Sequence, residues 1–210
     1  MSFKHPWRMI ALLSLTALLS CSREFKSTEY WPMNGGAWWE YNSPLHRMEV
    51  TDVTETPECR VLTLTCLDSS QMVLWRESIE TRPQGLFWQG LTTPGGYWPE
   101  IRFDPPLPLT PQSDQPEAIY TFYGLERRGD DSIYVHVTFQ IDGYETVETQ
   151  AGSFSDCLKM SMKYDYSGTS LPPLLAGRSV FWFARGVGLV RFQMPSGQGR
   201  LTRYSLGAKP

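Results

Sequence analysis

From Tyr30 onward the apolar residues recur at every second position rather than every third or fourth. In Arg60-Val61-Leu62-Thr63-Leu64-Thr65-Cys66, Leu62, Leu64 and Cys66 share one side while Val61, Thr63 and Thr65 share the other. Ile133, Val135, Val137 and Phe139 alternate in the same way with Tyr134, His136, Thr138 and Gln140. Such alternation, rich in β-branched and aromatic residues, predicts half-buried antiparallel strands. The same reading places strands over Ala37–Tyr41, Arg47–Thr54, Met72–Thr81, Gly85–Leu91, Ile119–Glu126, Tyr144–Gln150, Cys157–Tyr166, Ser179–Ala184, Leu189–Met194 and Arg200–Ser205. Between them lie Pro-Gln-Gly, Gly-Asp-Asp, Asp-Gly, Arg-Gly-Val-Gly and Ser-Gly-Gln-Gly, all turn compositions. Asp142-Gly143, set between two alternating runs, is the strongest hairpin signal.

No window carries the i, i+3, i+4, i+7 pattern of an amphipathic helix. The rhythm breaks only over Thr92–Glu117, which holds Pro94, Pro99, Pro105, Pro106, Pro108, Pro111 and Pro116. Proline at that density argues against a central strand and predicts a break between two half-sheets of one domain. The fold class expected is all-β with little helix. Its form is a single antiparallel meander, making an open half-barrel or a two-sheet sandwich.

The first residues follow a different logic. Lys4 and Arg8 precede the run Met9–Leu19, which is apolar except for Ser14 and Thr16, and no acid appears before Glu24. Eleven residues cannot span a hydrocarbon core, which takes about 20, but they match the apolar middle of a secretory signal. The closing Leu18-Leu19-Ser20-Cys21 resembles the bacterial lipobox, in which cleavage precedes Cys and the thiol receives a diacylglycerol. The division expected is a signal peptide over 1–20, a flexible tether over 21–29 and one β domain over 30–210, with Cys21 as the lipid attachment site. The partner this implies is a membrane, reached through Cys21. Ser22 stands where Asp would retain an enteric lipoprotein at the inner membrane, so outer-membrane placement facing the periplasm is expected if the source has one.

Residues 21–210 hold 22 acidic and 17 basic side chains, a net −5, which argues against general nucleic-acid binding. The charge is uneven. No acid follows Asp165, whereas Arg178, Arg185, Arg191, Arg200, Arg203 and Lys209 do. These bases either pair across the sheet with acidic strands or form a face for anionic headgroups or an acidic partner. Cys59, Cys66 and Cys157 are odd in number and contain no C-x-x-C, so buried free thiols are expected. His46 and His136 lie ninety residues apart, and neither H-E-x-x-H nor G-x-S-x-G occurs. Asp142, Glu145, Glu148 and the pair Asp130-Asp131 sit at turn signals, where carboxylates are commonly solvated. The reading is therefore non-catalytic, with no metal and no cofactor.

Three phrases carry a resemblance. Trp31-Pro32-Met33-Asn34-Gly35-Gly36-Ala37-Trp38-Trp39-Glu40-Tyr41 is similar to the opening of a family of uncharacterised bacterial lipoproteins. Ala151-Gly152-Ser153-Phe154-Ser155-Asp156-Cys157-Leu158 resembles that family's A-G-T/S-F-x-D-C-L phrase, and Phe183-Ala184-Arg185-Gly186-Val187-Gly188-Leu189-Val190 its F-A-x-G-V-G-L-V phrase. The resemblance implies a half-barrel distantly similar to periplasmic lipoprotein carriers, and it carries no catalytic residue. The tryptophans at 31, 38, 39, 75, 88, 98 and 182 exceed the packing needs of a small sheet. The functional expectation is a membrane-anchored envelope lipoprotein holding a lipid, a peptide or another hydrophobic ligand against a concave apolar face. Its rival is a structural protein that docks an envelope protein through an edge strand or the arginine-bearing end.

Overall fold

The computed structural model describes residues 25–57, 59–96, 99–167 and 177–207. Twelve strands follow one another around a single antiparallel sheet: β1 (Trp38–Tyr41), β2 (Arg47–Glu55), β3 (Arg60–Leu67), β4 (Val73–Arg82), β5 (Gly85–Thr92), β6 (Ile101–Pro108), β7 (Ile119–Arg128), β8 (Asp131–Thr149), β9 (Gly152–Tyr166), β10 (Gly177–Ala184), β11 (Gly188–Met194) and β12 (Gly197–Ser205). Each pairs with its neighbour in sequence, and β1 also pairs with β12. The expected all-β meander is present. It closes fully into a barrel instead of staying open, because Trp38, Trp39 and Glu40 find Ser205, Tyr204 and Arg203 as register partners.

Alternation decides what enters the interior. Leu62, Leu64 and Cys66 of β3 face inward, as do Val135, Val137, Phe139 and Ile141 of β8, all at most 3% exposed. Twelve strands enclose more space than eight, whose interior side chains alone can fill. Here aromatic rings do much of the filling: Tyr41 meets Phe192 edge-on at 5.2 Å, Trp88 meets Phe103 at 5.0 Å, and Tyr120 stacks on Phe139 at 4.8 Å.

Three local expectations change. Asp142-Gly143 is not a hairpin; it lies within the nineteen residues of β8, where Gly143 (φ +113°) makes a bulge opposite Lys159. The cross-strand partners on both sides of it belong to β9, so the strand continues through the turn signal. The proline-rich stretch is not a pure break either, since Ile101–Pro108 forms β6. The sheet accommodates Pro105 and Pro106 because neither is paired with β5 or β7. Finally, residues 25–29, expected within a tether, pack onto the barrel. Ser27–Tyr30 is a single 3-10 turn whose Ser27 hydroxyl bonds Thr110 and the Pro111 carbonyl, while the Gly186 N–H donates to the Glu29 carbonyl. This segment spans one mouth of the barrel. The turn between β10 and β11 behaves as its glycines suggest: at Gly188 (φ +113°) a Cβ would lie 2.8 Å from the Trp31 ring.

The closing seam also answers the charge asymmetry. Glu40 on β1, buried, accepts from Arg47 of β2 at 3.2 Å and from Arg203 of β12 at 2.6 Å. Arg185 pairs with Glu29 and Arg200 donates to the Glu148 carbonyl, so these late arginines are taken up by acids and carbonyls beside them. Hydrogen bonds to a charged group contribute about 1.5–3 kcal/mol when one partner is buried. Glu40→Gln should therefore lower stability in urea unfolding by about 1–2 kcal/mol, whereas Glu100→Gln, in a pair exposed on both sides, should change it by less than about 0.5 kcal/mol. Equal effects would mean that the seam draws nothing from its buried carboxylate.

Candidate functional site

The barrel's interior is not completely filled. An apolar cavity of about 100 Å³ remains, walled by Trp75, Trp88, Phe139, Phe181 and Phe183 and by four methionines, Met48, Met160, Met162 and Met194. Trp31, from the segment over the mouth, covers one end and packs edge-on against Trp39 at 6.1 Å. The volume is about that of three liquid-water shares, below the 300 Å³ usual for a drug-sized ligand. Methionine is unbranched, with three rotatable bonds, so a wall built from four of them can repack around a guest.

Among the described residues, one ionisable side chain lines this space: Glu77 of β4. On β4 the inward positions are Trp75, Glu77 and Ile79, so the sheet's period of two carries the carboxyl inside. Trp75 Nε1 donates to Glu77 Oε1 at 2.7 Å, and Cys66 of β3 lies alongside. Burial pushes the Glu77 carboxyl up to about 7, and the Trp75 hydrogen bond offsets only part of that. Near neutral pH the group is therefore divided between its acid and its carboxylate. The same surroundings hold the Cys66 thiol well above its ordinary range, first through burial and then through the charge of Glu77.

Two further groups border the cavity with unmet hydrogen-bonding capacity. The indole N–H groups of Trp31 and Trp88 are buried and have no acceptor among the described residues. A buried donor left so costs about 1–3 kcal/mol, which an acceptor on a bound molecule would recover. A second polar cluster occupies the interior near the β7–β8 turn, and it is largely satisfied internally. Arg128 donates to Glu126, and Tyr164 OH donates to the other Glu126 oxygen.

The residues singled out from the sequence distribute as follows. Cys21 and the stretch 1–20 lie outside the described residues, as does Trp98. Cys59, Cys66 and Cys157 are free, and the last two are buried. Burial raises Cys157 to about 11, which keeps it a thiol. His136 lies on the outer face, stacked at 4.6 Å on Tyr123, and no cluster able to hold a metal occurs among the described residues. Glu145 accepts from Trp182 Nε1 and Asp142 from the Ser161 hydroxyl, so two turn-region carboxylates join the sheet's own bonding. Sequence reasoning passed over Glu77. Its signal was a carboxyl in phase with Trp75 and Ile79 on one strand face.

Comparison with known proteins locates the chain only coarsely. A family model described as DUF3108-like matches residues 134–206, which is β8 through β12 without its first residues. No curated protein matches. Among solved structures, the chain is similar to a candidate lipoprotein of Parabacteroides distasonis ATCC 8503, at 13% identity and a TM-score of 0.48, over 87% of this chain and 100% of that one. It is also similar to a candidate exported protein with a YmcC-like fold from Bacteroides fragilis NCTC 9343, at 13% identity and a TM-score of 0.39, over 83% of this chain and 97% of that one.

Glu77 gives a pH signature. Its folded value of about 7 exceeds the ordinary 4.5, so the native state holds an extra proton between those values. Stability from this group is full below about pH 4.5, falls as pH rises to about 7, and is level above. Glu77→Gln removes the slope. The stability of the variant relative to the parent, from urea midpoints, should rise across that window and then plateau; a difference independent of pH would show a normally titrating carboxyl.

Proposed function

We propose that this protein is a membrane-anchored lipoprotein of the cell envelope that binds a small hydrophobic ligand, or the end of a larger lipid, inside its barrel. The observation that carries the reading is the apolar cavity whose one ionisable lining residue, among those described, is a carboxyl with its pKa raised to about 7. A purely structural interior would gain by replacing that carboxyl with a packed apolar group, because desolvating it is costly. Retained polar groups in an otherwise apolar pocket are what fixes the orientation of a ligand. The guest that fits is mostly hydrocarbon with at least one hydrogen-bond acceptor, which suits the acid form of Glu77 and the N–H groups of Trp31 and Trp88. Membrane attachment rests on the signal over 1–20 and on Cys21. Outer-membrane placement follows from Ser22 in a source that has that membrane.

A second reading draws on the outer surface. Tyr123 and Tyr134 are 68% and 76% exposed, and Tyr166 borders the same surface hollow. Aromatic residues displayed together favour contact with an envelope protein. In the closed sheet every strand has a neighbour on both sides, so docking through a strand edge would use the unpaired stretch of β7, residues 119–124.

Native mass spectrometry of protein purified from its own envelope tests the first reading. The parent should retain a hydrophobic adduct, and Met160→Trp, which overfills the cavity, should lose it while remaining folded by circular dichroism. Parent protein without an adduct, and unresponsive to added fatty acids, overturns ligand binding. Anchoring is tested apart from this: Cys21→Ser should move from the membrane to the soluble fraction, and a variant still sedimenting with membranes overturns the role of Cys21.

A further inference from the structure

The barrel wall has an unpaired line between β5 and β6, as it has beyond Asp104 between β6 and β7. Trp88 pairs with Leu107 and Gly90 with Arg102, so a single β5 residue, Gln89, stands opposite four β6 residues, Phe103 to Pro106. A ladder cannot run across that mismatch, and Pro105 and Pro106 bring no N–H to it. Beyond the mismatch the strands lock together again. A Cβ on Gly90 would lie 2.2 Å from the Ile101 carbonyl oxygen, so backbone meets backbone there without room for a side chain. On the outer face a groove of about 580 Å³ lies over this line, bordered by Arg76, Ser78, Gln89, Arg102 and Pro106.

Glu77 joins the two spaces. It borders both the groove outside and the apolar cavity within, and among the described residues no other does. Ser78, next to it, bonds Gln89 across the β4–β5 pair at 2.8 Å. The cations of the groove differ in state. Arg102 is held by Glu100 at 2.8 Å, whereas Arg76 is exposed and has neither ion pair nor hydrogen bond among the described residues. The groove thus offers an uncommitted guanidinium a short way from a carboxyl that opens onto hydrocarbon.

Resting on the ligand-binding reading above, we propose that the barrel takes up single-chain anionic amphiphiles sideways through the β5–β6 line, with the head group on Arg76 in the groove and the tail passing Glu77 into the cavity. A guanidinium forms charge-assisted hydrogen bonds with carboxylate or phosphate, so either head is accepted. The tail's first carbons fill the methionine-walled space, and the rest of a longer chain lies along the groove. Side access leaves the mouth under residues 25–33 undisturbed during loading. The ion pair of Arg185 with Glu29 and the bonds of Ser27 to Thr110 and Pro111 therefore need not break.

The test uses the full-length mature protein labelled with 13C at its methionine methyl groups, titrated with dodecanoate, dodecyl phosphate and dodecan-1-ol. The methyls of Met48, Met160, Met162 and Met194 should shift on binding, while the exposed Met72 should not. Arg76→Ala should weaken dodecanoate and dodecyl phosphate about tenfold, the loss expected for one charge-assisted contact, and leave dodecan-1-ol unchanged. Arg200→Ala, on β12, should alter none of the three. A preference for only one of the two anions would identify the head group as carboxylate or phosphate and supports the proposal. If dodecan-1-ol shifts the cavity methyls but Arg76→Ala binds both anions as the parent does, the groove assignment falls and the cavity reading stands. If none of the three moves the methionine methyls, both fall.

Discussion

Closure of the sheet is the constraint on which the rest of this molecule depends. Once β1 pairs with β12, every strand has a neighbour on each side, and the inward side chains face an enclosed space. That enclosure turns alternation into burial, and burial into the perturbed chemistry of Glu77. The seam is short, at four strand residues on β1, so inward side chains from β1 reinforce it. Trp39 Nε1 donates to the Val187 carbonyl at 2.7 Å and Tyr41 OH to the Leu189 carbonyl at 2.9 Å, reaching past β12 to β11. Each of these partners lies beside the glycine turn that admits Trp31, so seam, turn and covered mouth form one structural unit.

The interior handles its polar groups in two ways. Glu126, Arg128 and Tyr164 bond to one another, which largely balances the cost of taking them from water. Burial and the neighbouring Glu126 push the Tyr164 hydroxyl upward, so it remains a donor. Glu77 forms no ion pair among the described residues and receives only the Trp75 N–H and the distant Cys66 thiol. The first arrangement pairs its charges internally, leaving only Arg128 Nη2 without a partner among the described residues. The second leaves bonding capacity directed at whatever enters the cavity, which is why the functional reading rests on it.

Geometry also bears on how an anchored barrel would lie. Residue 25 is only four positions after Cys21, and an extended chain spans at most about 3.5 Å per residue. In the proposed reading, lipid on Cys21 would therefore hold residue 25 within about 15 Å of the bilayer surface. In the proposed reading, amphiphile would reach the groove along the membrane surface and not through the mouth.

Much of this architecture was legible in the sequence because a β-strand writes its environment with a period of two. Leu62, Leu64 and Cys66, or Val135, Val137 and Phe139, announce an inner face without reference to any distant residue. Glycine turns at 152 and 186–188 were equally local, since positive φ is a property of the residue itself. Asp142-Gly143 misled because a bulge and a hairpin ask for the same residues; only the partner strand, β9, distinguishes them. Prolines 105, 106 and 108 misled because their exclusion from strands is an exclusion from pairing, and β6 leaves two of them unpaired. Whether the sheet stayed open or closed was beyond the sequence, as it depended on Glu40 meeting Arg203 from 163 positions away. The significance of Glu77 was likewise decided in three dimensions. Sequence put a carboxyl on an inward face, and only burial behind the closed wall raised its proton affinity.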